Sequence, residues 1–162
     1  MTRFLSFLIA FALLPVLAIA QGANIALGTG AFDAGLPVEV TADEFSVDQS
    51  SGQAVFAGNV LVVQGEVRLS AGSVTIEYAQ DNSTPNGISR LLADGGVTFV
   101  TATDAAEAQG AVYSVADGTV TMSGDVILTQ GQNAISGDRL VVNLSSGTGR
   151  MEGRVRTVFS WG

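Results

Sequence analysis

The side chains that usually do covalent chemistry are missing. The chain has no Cys and no His, and all seven of its basic residues are Arg. There is therefore no Ser-His-Asp or Cys-His nucleophile and no Lys for a Schiff base. The phosphate loop needs a Lys, and zinc sites need ligands that this chain lacks. Asp43-Glu44 is an adjacent carboxylate pair. Neighbours on a strand point to opposite faces, so the two do not converge and read as solvated charges. Asp81-Asn82-Ser83 could touch a calcium ion, and Asn82-Ser83-Thr84 matches a glycosylation sequon. Turns use the same residue types. The residues point to binding or structure, not to an enzyme, and they imply no cofactor and no metal.

Bulk properties narrow the partners. Of 162 residues, 7 are basic and 15 acidic, giving a net charge of −8. Nucleic acid binding needs Lys and Arg to release counterions, so nucleic acid is a poor partner. Anionic lipid surfaces are equally poor ones. Disorder is excluded by 47% hydrophobic residues. Residues 1–20 read as an export signal: Arg3, an apolar stretch over 4–17, then Ala18-Ile19-Ala20 before Gln21. The alternative is a retained anchor, although 4–20 is at the bottom of the length range for a spanning helix and Pro15 interrupts it. Loss of Arg3 would leave a net charge of −9. Residues 21–36 are rich in Ala and Gly and read as a flexible leader, which leaves 37–162 as the folded domain.

That domain is written in copies. Gly58-Asn59-Val60, Gly95-Gly96-Val97, Gly124-Asp125-Val126 and Gly153-Arg154-Val155 stand 37, 29 and 29 residues apart. A second series, Ala42, Ala71, Ala108 and Gly137, precedes an apolar residue by three each time and is spaced 29, 37 and 29. Both fit a unit of about 29 residues used four times, with eight extra residues around 80–86 that read as a surface loop. Repeats of this kind mean one object built from copies, not a domain with a unique pocket.

Each copy reads as strands. Its residues alternate and are rich in Val, Thr, Ile, Leu and Phe. The inward phase takes Ala54, Phe56, Gly58, Val60 and Val62 in unit one, and Leu91, Ala93, Gly95, Val97 and Phe99 in unit two. It takes Val120, Met122, Gly124, Val126 and Leu128 in unit three, and Met151, Gly153, Val155, Thr157 and Phe159 in unit four. The inward Gly marks a bend that carries each strand from one sheet to another. The odd step of the second series requires a bulge. The prediction is an all-β fold of about eight long bent strands, or sixteen if each bend is a break. Gln49-Ser50-Ser51-Gly52, Ala116-Asp117-Gly118 and Ser145-Ser146-Gly147 read as turns.

An apolar interior between two sheets could hold acyl chains, at about 0.8 kcal/mol per buried CH₂. It could equally be an ordinary core, with Phe56, Phe99, Tyr113, Met122 and Leu128 packed on one another. The motifs bear on this choice. Val40-Thr41-Ala42-Asp43-Glu44-Phe45, Ala57-Gly58-Asn59-Val60, Ser123-Gly124-Asp125-Val126 and Ile135-Ser136-Gly137-Asp138 resemble the LptA/OstA family of periplasmic lipopolysaccharide-transport proteins of Gram-negative bacteria. The resemblance covers about 37–160. It implies a bent β-jellyroll open at both ends, with an interior that shields lipid A acyl chains on the way to the outer membrane. It also implies head-to-tail joining through edge strands, both to copies of itself and to an inner-membrane LptC-like component and an outer-membrane LptD-like translocon.

Carried to this chain by phase, the lipid-facing residues are Phe56, Val60, Leu69, Ile76, Phe99, Tyr113, Met122, Val126 and Leu140. The joining strands are 37–41 and 154–160, through Val38, Val40, Val155, Thr157 and Phe159. Two alternatives stay open. One is the membrane-anchored, LptC-like relative, separated by whether the mature chain begins at Gln21. The other is a purely structural exported β-repeat with a closed core.

Overall fold

The computed structural model describes residues 22–27, 33, 35–80 and 87–160. The expected export signal at 1–20 and most of the insertion at 80–86 lie outside the described residues. Every element described is a strand, and all belong to one 13-stranded sheet. In chain order they are β1 (Ala23–Ala26), β2 (Glu39–Thr41), β3 (Glu44–Asp48), β4 (Gln53–Gln64), β5 (Val67–Tyr78), β6 (Ile88–Asp94) and β7 (Val97–Val100). There follow β8 (Asp104–Ala108), β9 (Gly110–Ser114), β10 (Thr119–Gln130), β11 (Asn133–Asn143), β12 (Thr148–Glu152) and β13 (Arg156–Val158). Every pairing is antiparallel.

The pairing splits into two runs. One is β3-β4-β5-β6-β9-β10-β11-β12-β1. The other is β2-β4-β5-β7-β8-β10-β11-β13. The long strands β4, β5, β10 and β11 belong to both runs, one half in each. Counting β2 with β3, β6 with β7, β8 with β9 and β12 with β13 as halves of one bent strand recovers the expected eight long bent strands. The two runs face each other across an apolar core that includes Met122, Leu140 and Met151, all fully buried.

The bends explain why the two sequence series keep step. At each Gly-x corner both residues are left-handed: Gly58 and Asn59 (φ 79° and 47°), Gly95 and Gly96 (81° and 84°), Gly124 and Asp125 (85° and 48°), Gly153 and Arg154 (76° and 49°). Gly, Asn and Asp tolerate this conformation and Arg does so at a cost. Across from each corner stands the residue that follows the second series. The amides of Asp43, Gln109 and Asp138 donate to the carbonyls of Gly58, Gly124 and Gly153, each at 2.9 Å. Gly72 packs directly on Gly95. Side chains reinforce two corners, with Asn59 Nδ2 donating to Asp43 Oδ2 at 2.9 Å and Gln109 Nε2 to Asp125 Oδ2 at 3.0 Å. Between the pairs Ala57↔Ser73 and Val60↔Ala71, the two residues Gly58 and Asn59 of β4 oppose the single Gly72 of β5, which is the expected bulge. It lets Ala71 and Val74 both turn inward despite their odd spacing.

Two expectations need correction. The leader at 21–36 is not wholly flexible, because Ala23–Ala26 forms β1 on β12. Unit four does not stay buried past Met151: Val155, Thr157 and Phe159 are exposed, Phe159 by 61%. Thr157 pairs with Ile135 of β11, but β13 ends its run.

Gly95→Ala and Gly96→Ala should share a left-handed strain of about 1–3 kcal/mol. Only at Gly95 would the new Cβ also meet backbone, at 3.2 Å from the Gly72 Cα; at Gly96 it meets nothing within 4 Å. Urea unfolding should therefore rank Gly95→Ala lower by about 1 kcal/mol or more. Equal midpoints would mean that close backbone approach is not what the corner requires.

Candidate lipid groove and sheet ends

Bent strands make a flattened tube. The corners run along one side and the hairpin turns of the two runs meet on the other. A polar contact bridges that second side. Tyr113 Oη on β9 donates to Gln64 Oε1 on β4 at 2.9 Å, and Gln64 Nε2 donates to the Leu36 carbonyl at 3.0 Å. Tyr113 and Gln64 are both buried. Burial pushes the Tyr113 phenol up to about 12 from its ordinary 10.

Of the residues expected to face lipid, Val60, Leu69, Ile76, Phe99, Tyr113, Met122, Val126 and Leu140 lie in the buried core. Phe56 is half-buried and sits against Phe45, ring centroids 4.8 Å apart. The structure divides them further. Leu69, Phe99 and Tyr113 line an apolar cavity of about 30 Å³, together with Val62, Gln64 and Leu91. Val60, Ile76, Met122, Val126, Leu140 and Phe56 do not line it. A space this size is about that of one water molecule. In this state the interior is filled by its own side chains.

The two ends differ. At the first, β2 and β3 each pair only with β4. Phe45 and Val47 share the inward face with Phe56 and Ala54, yet they are 59% and 57% exposed because nothing stands opposite. Val38 and Val40 are half-buried there. This end is acidic, with Glu39, Asp43, Glu44 and Asp48. The Ser50 hydroxyl and amide hold the Asp48 carboxyl below the usual carboxylate range.

At the second end stand β12 and β13, with Arg150, Arg154 and Arg156. Glu152 bridges Arg150 at 3.2 Å and Arg139 at 3.6 Å. The expected joining strand 154–160 is narrower in the structure, since β13 is Arg156–Val158 and leaves Val155 and Phe159 outside it. Sequence reasoning missed β3 as the longer open strand. It also missed β1, which covers the outer edge of β12. The exposed alternation of Phe45 and Val47 was the available signal for β3; for β1 there was none.

These features define a class: a β-jellyroll made by one sheet bent into two facing runs, with an apolar interior and unlike ends. The family described as "LptA/(LptD N-terminal domain) LPS transport protein" matches residues 39–148, and the chain belongs to that family. A curated relative, the uncharacterized protein R00383 of Rhizobium meliloti strain 1021, is 26% identical over 128 residues. The match covers 74% of this chain and 69% of the relative. Among solved structures, LptH of Pseudomonas aeruginosa is described as the LptA homologous periplasmic component of the conserved lipopolysaccharide transport device. It superposes with a TM-score of 0.69 at 19% identity, covering 79% of this chain and 98% of LptH, and so shares the fold.

Below pH 10 the Tyr113 phenol is neutral whether the chain is folded or not. Between about 10 and 12 the unfolded phenol ionises while the folded one does not, so stability falls across that window. The urea midpoint should be flat up to about pH 10 and then decline. Tyr113→Phe should lose about 1 kcal/mol at neutral pH and show a shallower alkaline decline. An unchanged decline would assign it to another group.

Proposed function

We propose that this protein is a periplasmic carrier and bridge component for lipopolysaccharide. It shields the lipid A acyl chains between its two runs of strands during passage from the inner to the outer membrane. The observation that carries this is the large apolar core between the two runs, in a chain of the LptA family. Its apolar face continues past the closed core to exposed Phe45 and Val47, where a chain end could be handed on.

Because the cavity holds about 30 Å³, uptake requires the two runs to part on the side bridged by Tyr113 and Gln64. Apolar contacts between side chains are then exchanged for apolar contacts with lipid, so the net cost of parting is small. Sugars and phosphates stay outside, away from a net negative chain. Exposed strands at both ends suit joining by strand addition, to further copies and to components at either membrane. The tightly filled interior favours one other reading, a structural β-protein whose core never opens.

A photocrosslinker at Phe56, Phe99 or Met122 separates the two, with Thr121 and Glu152 as outward controls. Lipopolysaccharide should crosslink at the inward set only, and de-acylated lipopolysaccharide should compete poorly. A folded protein with no inward crosslink would establish the structural reading instead.

A further inference from the structure

β1 lies where a neighbour would have to join. Its four residues pair with β12 from Ala23↔Met151 to Ala26↔Thr148. Two further bonds hold it, the Leu27 amide to the Gly147 carbonyl at 2.7 Å and Gln130 Nε2 to the Ala26 carbonyl at 2.7 Å. Ile25 is buried beside Gly149, and the Leu27 side chain also reaches Gly149. Both edges of β12 are therefore occupied, one by β11 and one by the chain's own N-terminal segment.

We infer that β1 is a self-donated strand holding the place of β3 from a second copy, so that end-to-end joining requires its displacement. This rests on the end-joining part of the function proposed above. Three observations single out β3 as the displaced strand's replacement. The first is sense. The run from β3 to β12 alternates antiparallel at every step, with β3 and β12 opposed in direction. A second copy advanced along the sheet without being turned over presents its β3 antiparallel to β12, the sense in which β1 lies.

The second is burial. β1 offers Ala23 and Ile25 to the interior over Met151 and Gly149. β3 offers Phe45 and Val47, which are more than half exposed at its own end. The third is charge. β1 sets neutral Asn24 opposite Arg150, whereas the outer face of β3 carries Glu44 and Asp48. In the companion run, β2 with Glu39 would meet β13 with Arg156. β1 competes well despite weaker contacts because it is tethered, which gives it a high effective concentration.

The chain has no Cys, so Ala26→Cys with Thr148→Cys places one disulfide across β1 and β12. Both residues are exposed and directly paired. The chain from Gln21 onward would be compared oxidised and reduced by sedimentation velocity over a concentration series, beside a deletion of 22–27. Expected are a monomer at every concentration when oxidised, association on reduction, and association of the deletion at about tenfold lower concentration. Phe45→Asp in the deletion should abolish it. Association that ignores the disulfide would overturn the competition and leave end-joining intact. No association in any form would overturn both. Lipid crosslinking on the same samples reports the carrier reading separately.

Discussion

The structure depends on one contact made over and over: a left-handed Gly-x corner whose carbonyl accepts the amide of a residue on the adjacent bent strand. A strand that ran straight would place both its halves in one flat sheet, with one apolar face and nothing to cover it. The corner turns the second half over so that the two halves face each other, and the chain becomes its own covering layer. The corner also keeps the alternation in phase. A bulge at Gly58-Asn59 lets Phe56 and Val60 share an interior although the strand has changed sheets. Corners that bond to their neighbours must lie in line, so the bends of successive strands form a continuous seam. The opposite side is joined instead by side-chain contacts, Tyr113 to Gln64 and Gln130 to the Ala26 carbonyl. A tube with a main-chain seam on one side and side-chain closure on the other opens on the second side first.

Much of this was legible because it is local and periodic. Gly58, Gly95, Gly124 and Gly153 announce the corners, and Ala71 with Val74 announces the bulge opposite. Alternation assigned Val60, Phe99, Met122 and Val126 to the inside. What escaped was tertiary. The segment Ala23-Asn24-Ile25-Ala26 is short, has weak strand propensity and belongs to no copy. It becomes a strand only because β12 offers an unpaired edge, and nothing in its own residues says so. Gln64 and Tyr113 are 49 positions apart, so no spacing rule could join them. The exposure of Val155, Thr157 and Phe159 is a consequence of position: the same alternation that is buried in the middle of the run lacks an opposing layer at its end. The bends predict long strands that cross from one sheet to another, the family resemblance implies the jellyroll, and the structure agrees with both.

The filled interior and the proposed cargo are compatible for a physical reason. Among the described residues the buried polar side chains are few, Gln64, Thr101 and Asp104 beside the Tyr113 phenol, so parting the two runs around a hydrocarbon exposes few groups that need new hydrogen bonds. The main-chain ladder lies within each run and survives such a movement. The cost falls on packing, which an acyl chain restores, and on the side-chain bonds Tyr113–Gln64 and Gln130–Ala26. A fold whose strength lies in its ladders and corners can afford a loosely committed core.

The acidic first end and the arginine-bearing second end make the protein a dipole along its length. Two molecules approaching one another in dilute salt would feel that asymmetry before touching. A pair presenting like ends is repelled, and a pair presenting unlike ends is drawn together, so encounters are sorted by direction at a distance of about one Debye length, near 8 Å at physiological ionic strength. A row of such molecules would carry its direction in its charge, and cargo moving along it would meet the same end of each molecule first.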